Sequence, residues 1–184
     1  ELEVEVKGAV KNINQAEWDS LLSPDESPFM EYDWIYCMEE SGCATEETGW
    51  RPLHFLTTTA VAPPGRLLAA VPMYLKGHSM GEFIFDQQFA EASLHWGVRY
   101  YPKLLVGVPF TPAAGSRVLI DPTLDDAYKH RIRVAVAVFL ANTAANSGVS
   151  SVHVNFCSDA EVRAFTEAGF AHRKSLQVRC AAFV

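Results

Sequence analysis

The stretch from residue 103 to 121 reads KLLVGVPFTPAAGSRVLID, and it decides how the chain is organised. It consists of an apolar run, the segment Pro-Phe-Thr-Pro, the segment Ala-Ala-Gly-Ser-Arg and a second apolar run. Proline and glycine end strands and form turns, so the stretch predicts one or two strands around a loop. Two interpretations of the loop fit: it only turns the chain, or its exposed backbone holds a ligand.

The composition is that of an ordinary globular domain. The 184 residues are 49% hydrophobic and 20% charged, enough for one well-buried core, so we predict a single domain over residues 1–184. The formal net charge is −7 and the pI is about 5.3, which argues against DNA as a partner because nucleic-acid affinity needs clustered Lys and Arg. The longest apolar stretch, 134–145, is too short for a membrane span, so we predict a soluble protein.

The cysteines favour a reducing compartment. No CxxC pair occurs, and no histidine stands at zinc-finger spacing, so neither a metal site nor a disulfide framework is indicated. The N-terminus shows no signal-peptide pattern, although a processed precursor or a trimmed chain would look the same. We therefore expect the cytoplasm or an organelle stroma such as that of a plastid. The four cysteines are Cys37, Cys43, Cys157 and Cys180.

The first half of the chain predicts a strand, two helices and a hairpin. Residues 2–6 alternate apolar and acidic, as in a strand with one wet face. Asn14 followed by Glu17 predicts one helix start, and Ser27 followed by proline predicts a second, which ends near Gly42. The runs 52–59 and 66–75 flank Pro-Pro-Gly and predict an antiparallel hairpin.

The second half predicts alternating helices and strands. A short helix is expected around 90–96, and after the 103–121 stretch a long helix at 125–145 that Gly148 stops. A strand at 151–156 precedes a helix with a Ser-Asp-Ala-Glu capping box at 158–161, and a final strand is expected at about 172–183. The order is β-α-α-β-β-β-α-β-α-β, which indicates the α/β (α+β) class with a mixed central sheet flanked by helices.

The sequence resembles known proteins at two levels, that of a fold and that of a family. The late helix that ends in Gly-Phe at 169–170 resembles the GNAT acyl-CoA N-acyltransferase fold, as does the element order. Four longer segments resemble the FemAB-like predicted N-acyltransferases, a family named for peptidoglycan biosynthesis or recognition. Members usually consist of two tandem GNAT-like lobes, so this sequence resembles the first lobe. The segments are ESGCATEETGWRPLH (40–54), VPMYLKGHSMGEFIFD (71–86), RYYPKLLVGVPFTP (99–112) and SSVHVNF (150–156).

The sequence departs from that family at two motifs. Where the resemblance implies Asp-His-x-Trp-Ala, residues 86–90 read DQQFA. Where it implies Thr-Gly-Pro-Arg, residues 114–117 read AGSR.

The resemblance implies transfer of an acyl or aminoacyl group to an amine, with no tightly bound cofactor and with acyl-CoA or an aminoacyl carrier as co-substrate. In GNAT folds, free backbone N–H groups of a splayed strand hold the carrier, and the following loop holds its pyrophosphate. The stretch quoted above occupies that place, although the alternative of a plain Pro-flanked turn stays open. The predicted carrier-binding residues are Val108, Phe110, Thr111, Gly115, Ser116 and Arg117.

Four residues are predicted to act in catalysis. Asp86 or Glu91 would accept the proton of the amine, and Tyr101 would donate to the leaving group. His153 lies on one strand face with Asn155 and is a candidate base. For each the structural alternative stays open: a carboxylate near a lysine forms an ion pair, and a strand histidine is a satisfied packing residue.

A second class of function competes with the enzyme. A non-catalytic GNAT-like module, or an assembly subunit that binds a peptide, glycan or protein, would account for the loop's single glycine. In either case the resemblance implies pairing with a second lobe, another copy or an assembly subunit. The predicted edge strand 176–184 has no cover in the sequence that follows it, which favours such a partner.

Overall fold

Two four-stranded sheets with helices packed on them form the structure, a computed structural model that describes residues 2–60 and 65–174. The strands are β1 (Leu2–Lys7), β2 (Trp50–Pro52), β3 (His54–Thr59), β4 (Leu67–Val71), β5 (Met73–Lys76), β6 (Lys103–Val106), β7 (Leu119–Ile120) and β8 (Val152–Val154). The helices are α1 (Gln15–Asp19), α2 (Tyr32–Glu40), α3 (Gln87–His95), α4 (Asp126–Ser147) and α5 (Asp159–Glu167). The mixed α+β class predicted from the element order is thus confirmed.

The predicted hairpin is present, but each of its arms is divided between the two sheets. One sheet has the order β1-β3-β4-β7 and the other has the order β2-β5-β6-β8. Pro72 separates β4 from β5, and Leu53 separates β2 from β3. Leu53 N donates to Met73 O at 2.8 Å, so the two arms remain joined at the break. Proline lacks the N–H that a continuous ladder requires, which explains why the sheet changes at this position.

The 103–121 stretch supplies two strands, one to each sheet. β6 lies between β5, which is antiparallel, and β8, which is parallel, so it is an interior strand of its sheet. It ends at Val106, because Gly107 and Pro109 follow. β7 pairs with β4 in the other sheet. All four residues of β6 are buried.

Local sequence signals set most helix ends. Asn14 accepts a hydrogen bond from Glu17 N, and Asp125 accepts one from Tyr128 N, so α1 and α4 have capped starts. Gly148 ends α4 in the left-handed conformation with φ of +72°. The predicted start at Ser27 opens only a short 3₁₀ turn, Pro28–Met30, and α2 begins at Tyr32 instead.

The two larger of three apolar clusters among the described residues anchor these elements. In the larger one, Leu104 and Val106 of β6 pack with Val136 and Leu140 of α4 and with Phe165 of α5. The smaller one lies under α1 and α2, where Trp18 donates its indole N–H to Met30 O at 2.9 Å. Residues 171–174 have no regular structure. The rest of the predicted final strand, from residue 175 on, lies outside the described residues.

Candidate functional site

A row of side chains crosses the β2-β5-β6 sheet at one end. Lys76 is the cross-strand neighbour of both Trp50 and Lys103, so the three side chains share one face. Lys76 Nζ lies 3.5 Å from the centroid of the Trp50 ring. Both lysines are fully buried. Two buried ammonium groups on neighbouring strands repel each other, so the fold must supply negative charge beside them.

That charge comes from the connection between β5 and α3. Glu82 and Asp86 are each 3% exposed. Lys103 Nζ lies 3.0 Å from Glu82 Oε2 and 2.8 Å from Asp86 Oδ2. Burial raises the pKa of Glu82, against the opposing effect of Lys103. The pKa of Lys76 is lowered to about 7. Burial is the main cause; Glu82 acts in the opposite direction, and the charge of nearby Lys103 adds to the effect of burial.

Hydroxyl groups also donate hydrogen bonds to one oxygen of Asp86. Its Oδ2 accepts hydrogen bonds from Ser79 Oγ at 2.7 Å and from Tyr100 Oη at 2.8 Å. Tyr101 Oη lies 2.8 Å from Ser79 Oγ. Burial by itself raises the pKa of Asp86, but the hydrogen bonds from Lys103, Ser79 and Tyr100 outweigh burial and lower it. Asp86 is therefore ionised at neutral pH.

His153 of β8 approaches the same lysine. Its Nδ1 lies 3.5 Å from Lys103 Nζ, and its pKa is lowered to about 4 by burial and by the charge of Lys103. An ammonium group donates only, so Nδ1 faces it without a proton and Nε2 carries the proton of the neutral ring. In this state Nε2 is the ring nitrogen that can donate a hydrogen bond, and the role of His153 as a base stays a prediction.

In this cluster, only one oxygen of each carboxylate has a hydrogen-bond or ion-pair partner among the described residues. Within residues 2–60 and 65–174, the buried oxygens Glu82 Oε1 and Asp86 Oδ1 have no hydrogen-bond partner. A buried carboxylate oxygen without a donor is costly, so a ligand that brings N–H groups would relieve two such losses at once. We call Ser79, Glu82, Asp86, Tyr100, Tyr101, Lys103 and His153 the Lys103 cluster.

Three members of the cluster also meet the spacing of a metal site. One ligand atom each from Glu82, Asp86 and His153 lie within 4.8 Å of one another. Lys103 Nζ stands among them, at 2.8 to 3.5 Å from each. The positive charge at this position therefore comes from the chain's own lysine.

The predicted carrier loop is closed by a buried arginine. Arg117 is 1% exposed; its Nε donates to Asn155 O at 2.8 Å, and its other nitrogens donate to Ser116 O and Ala113 O. Burial lowers the pKa of the guanidinium. A guanidinium committed to three carbonyls holds the loop together and does not face solvent, where a phosphate would bind.

The backbone N–H groups of residues 115–118 in that loop are also occupied. Gly115 N donates to Phe156 O, and Ser116 N donates to Glu26 Oε1. The N–H groups of Arg117 and Val118 both donate to Glu161 Oε1, at 2.6 and 2.7 Å. Glu161 is fully buried, and its second oxygen accepts from Ser158, so the α5 capping box also fixes the loop.

The remaining predicted carrier contacts line the start of the loop. Val108 is buried in the smaller apolar cluster, and Thr111 donates its hydroxyl to Pro109 O. Phe110 has φ of +55°, donates its N–H to Gly81 O and places its half-exposed ring 5.3 Å from the ring of Trp50. Binding of a carrier by these residues stays a prediction.

The structure brings together three of the four predicted catalytic residues, Asp86, Tyr101 and His153. The fourth, Glu91, is exposed on α3 and forms no hydrogen bond with the cluster in the described part of the chain. Glu82 and Lys76 also belong to this region, although no role was predicted for them from the sequence. The signal for Glu82 was the segment GEFIFD (81–86), in which two acids four residues apart flank three large apolar residues.

Fold and site together define a mixed α+β protein in which an interior strand begins at a buried ionic cluster whose carboxylates each lack one hydrogen-bond partner within the described part of the chain. The chain matches the FemAB-like family model, described as peptidoglycan biosynthesis/recognition, over residues 9–182. It belongs to the FemAB-like family. Comparison with curated proteins found no match, and comparison with solved structures found none either. Among the described residues, no helix combines the length and the apolar character needed to cross a membrane.

Proposed function

We propose that this chain transfers an acyl or aminoacyl group from a CoA-type or aminoacyl carrier to an amine, and that the amine binds at the Lys103 cluster. The family description points to an acceptor from peptidoglycan chemistry, such as an amine-bearing peptide. The observation that carries the proposal is the pair of buried, unpartnered oxygens on Glu82 and Asp86. An amine or ammonium group is the ligand that supplies donors to both.

Four side chains of the Lys103 cluster take part in the proposed steps. The acceptor enters as an ammonium, and Glu82, whose pKa burial raises, takes one proton from it. The free amine attacks the carrier's carbonyl carbon, the C–N bond forms, and the C–S or C–O bond to the carrier breaks. His153 Nε2–H donates to the oxygen that becomes negative. Tyr101 O–H protonates the departing thiolate or alkoxide, and the second amine proton restores the tyrosine through Ser79.

A second candidate is a non-catalytic module that recognises an amine-bearing peptide, glycan or protein without turnover. The occupied N–H groups of Gly115, Ser116 and Arg117 favour this alternative, because these three predicted carrier contacts already donate within the chain. In both cases we propose that the chain pairs with a second lobe, another copy or an assembly subunit. Size exclusion with light scattering tests the pairing.

Titration calorimetry and a CoA-release assay test the enzyme proposal. Acetyl-CoA and CoA are titrated first, and release of CoA is then followed with a simple primary amine and with a lysine-containing peptide. Glu82→Gln and Asp86→Asn are expected to lower turnover by at least about a hundredfold, the scale of general acid–base catalysis. Glu167→Gln, an exposed carboxylate on α5, is the matched control.

The outcomes separate the two candidates. Binding of amine without CoA release, weakened by Asp86→Asn, would exclude transfer from acetyl-CoA and favour the recognition module. Turnover that is unchanged by both cluster substitutions would remove the Lys103 cluster from the reaction. Glu91→Gln in the same assay tests the remaining sequence prediction, since Glu91 lies outside the cluster.

A further inference from the structure

The segment between β5 and β6 exposes an unusual number of large apolar side chains. Phe85 is 87% exposed, Leu94 81%, Trp96 79% and Met80 72%. In the described structure none of the nine residues of α3 is buried, so this helix packs no side chain into the core. We call this region the aromatic surface. Its members are Met80, Phe83, Phe85, Phe89, Leu94, Trp96 and Val98.

The ion pairs of the Lys103 cluster orient the segment 82–86. Lys103 holds Glu82 and Asp86 inward, and Phe83 and Phe85 between them face outward. Phe83 takes the left-handed conformation with φ of +55°, which is unfavourable for an aromatic residue. The inverted pattern, with acids inside and phenylalanines outside, leaves apolar area in water that a partner would cover.

The charges around the aromatic surface are positive, although the chain as a whole carries −7. Arg173 stacks on Phe89, with Cζ 3.9 Å from the ring centroid. Its neighbour Lys174 is exposed, as is Arg99, three residues after Trp96. Within residues 77–100, all of which the structure describes, Glu91 is the one exposed carboxylate, because Glu82 and Asp86 are buried.

We propose that the aromatic surface docks on an anionic lipid surface. Tryptophan and phenylalanine are the side chains that enter the boundary between headgroups and acyl chains, and neighbouring Arg and Lys bind anionic headgroups. A symmetric contact between two copies of this surface would place two sets of the same positive charges, Arg99, Arg173 and Lys174, in one interface, so charge favours the lipid surface over a second copy. The protein lies on the bilayer in this proposal and does not span it.

Vesicle flotation tests the proposal with vesicles of phosphatidylcholine alone and of phosphatidylcholine mixed with phosphatidylglycerol. The wild-type chain is expected to bind the mixed vesicles, and added salt is expected to weaken binding. The double variant Phe85→Ser/Trp96→Ser should lose at least about tenfold in affinity. Arg99→Gln/Lys174→Gln should reduce the preference for the anionic lipid by about tenfold or more. Val138→Ser, a 44% exposed apolar residue on α4, is the matched control.

Fluorescence supplies a readout that is specific for the site. Trp18 and Trp50 are buried and Trp34 is half-buried, so a blue shift on mixing with vesicles reports mainly on Trp96. The shift should disappear in Trp96→Phe, which should still float with the vesicles. The proposal is overturned by absence of binding to both vesicle types, or by binding that Phe85→Ser/Trp96→Ser leaves unchanged. Vesicle-independent dimers abolished by that double variant would make the aromatic surface a protein interface instead.

Discussion

Lys103 and Asp86, seventeen residues apart, form an ion pair with a distance of 2.8 Å between Nζ and Oδ2, and both side chains are buried. The pair connects the interior strand β6 to the residue that precedes α3. It fixes the segment 77–86 on the sheet, and with Glu82 it decides which side chains of that segment face inward. Stability and the candidate function therefore depend on the same contact.

Lys103→Met tests that contact. The substitution leaves two buried carboxylates without their cation, so we expect the free energy of unfolding to fall by about 3 to 5 kcal/mol at pH 7. Glu82 and Asp86 would then have raised pKa values in the folded state, so the loss should shrink as the pH falls from 7 towards 4. Urea unfolding at several pH values measures it. Lys11→Met, which removes the exposed pair with Glu40, should change stability little at any pH.

His153 predicts a pH dependence of its own. Its folded pKa of about 4 lies below the ordinary value of 6.5, so between these values the unfolded chain binds a proton that the folded chain does not. Stability should therefore decline as the pH falls from 6.5 to 4, by up to about 3 kcal/mol from this residue. His153→Gln is neutral throughout and should lack this contribution. Parallel stability curves for the two proteins over that range would contradict the assignment.

Glu161→Gln should loosen the loop at 113–118. One oxygen of Glu161 accepts from Arg117 N and Val118 N, and the other accepts from Ser158 N and Oγ. An amide nitrogen at either position would face donors, so we expect a loss of about 3 kcal/mol. Hydrogen exchange of the Arg117 and Val118 amides should accelerate as well. Glu167→Gln, exposed at the end of the same helix, should leave both measurements near the wild-type values.

Gly81→Ala tests the contact between the β5–α3 segment and the start of the carrier loop. Gly81 has φ of +78°, and a Cβ there would lie 2.6 Å from Phe110 Cε1. Gly97 has φ of +68° but open space around it, so Gly97→Ala carries the backbone strain alone. We expect Gly81→Ala to cost about 1 to 3 kcal/mol more than Gly97→Ala in thermal or urea unfolding. Adding Phe110→Ala should recover part of that difference, and failure to do so would show that the ring is not the obstacle.

The sequence by itself determined the local elements and the class of fold. Helix starts at Asn14, Asp125 and Ser158 followed from side chains that accept their own backbone N–H groups, which depends on residues three positions apart. The apolar runs of the 103–121 stretch predicted its strands, and the helix signals from residue 125 predicted the long helix after them. Family membership rested on segments read directly from the chain.

Tertiary structure alone decided the site. Cross-strand register places Lys103 beside Lys76, and both lysines are buried. Glu82 and Asp86, which lie far from Lys103 in the sequence, neutralise this positive charge and so form one cluster with Lys103. Tertiary structure also committed Arg117 to three backbone carbonyls, two of them in its own loop, and left Glu91 outside the cluster. Local pattern gives each residue's secondary structure and face, but desolvation and pairing depend on neighbours far apart in the chain, and those neighbours set the charge, pKa and availability of every candidate group.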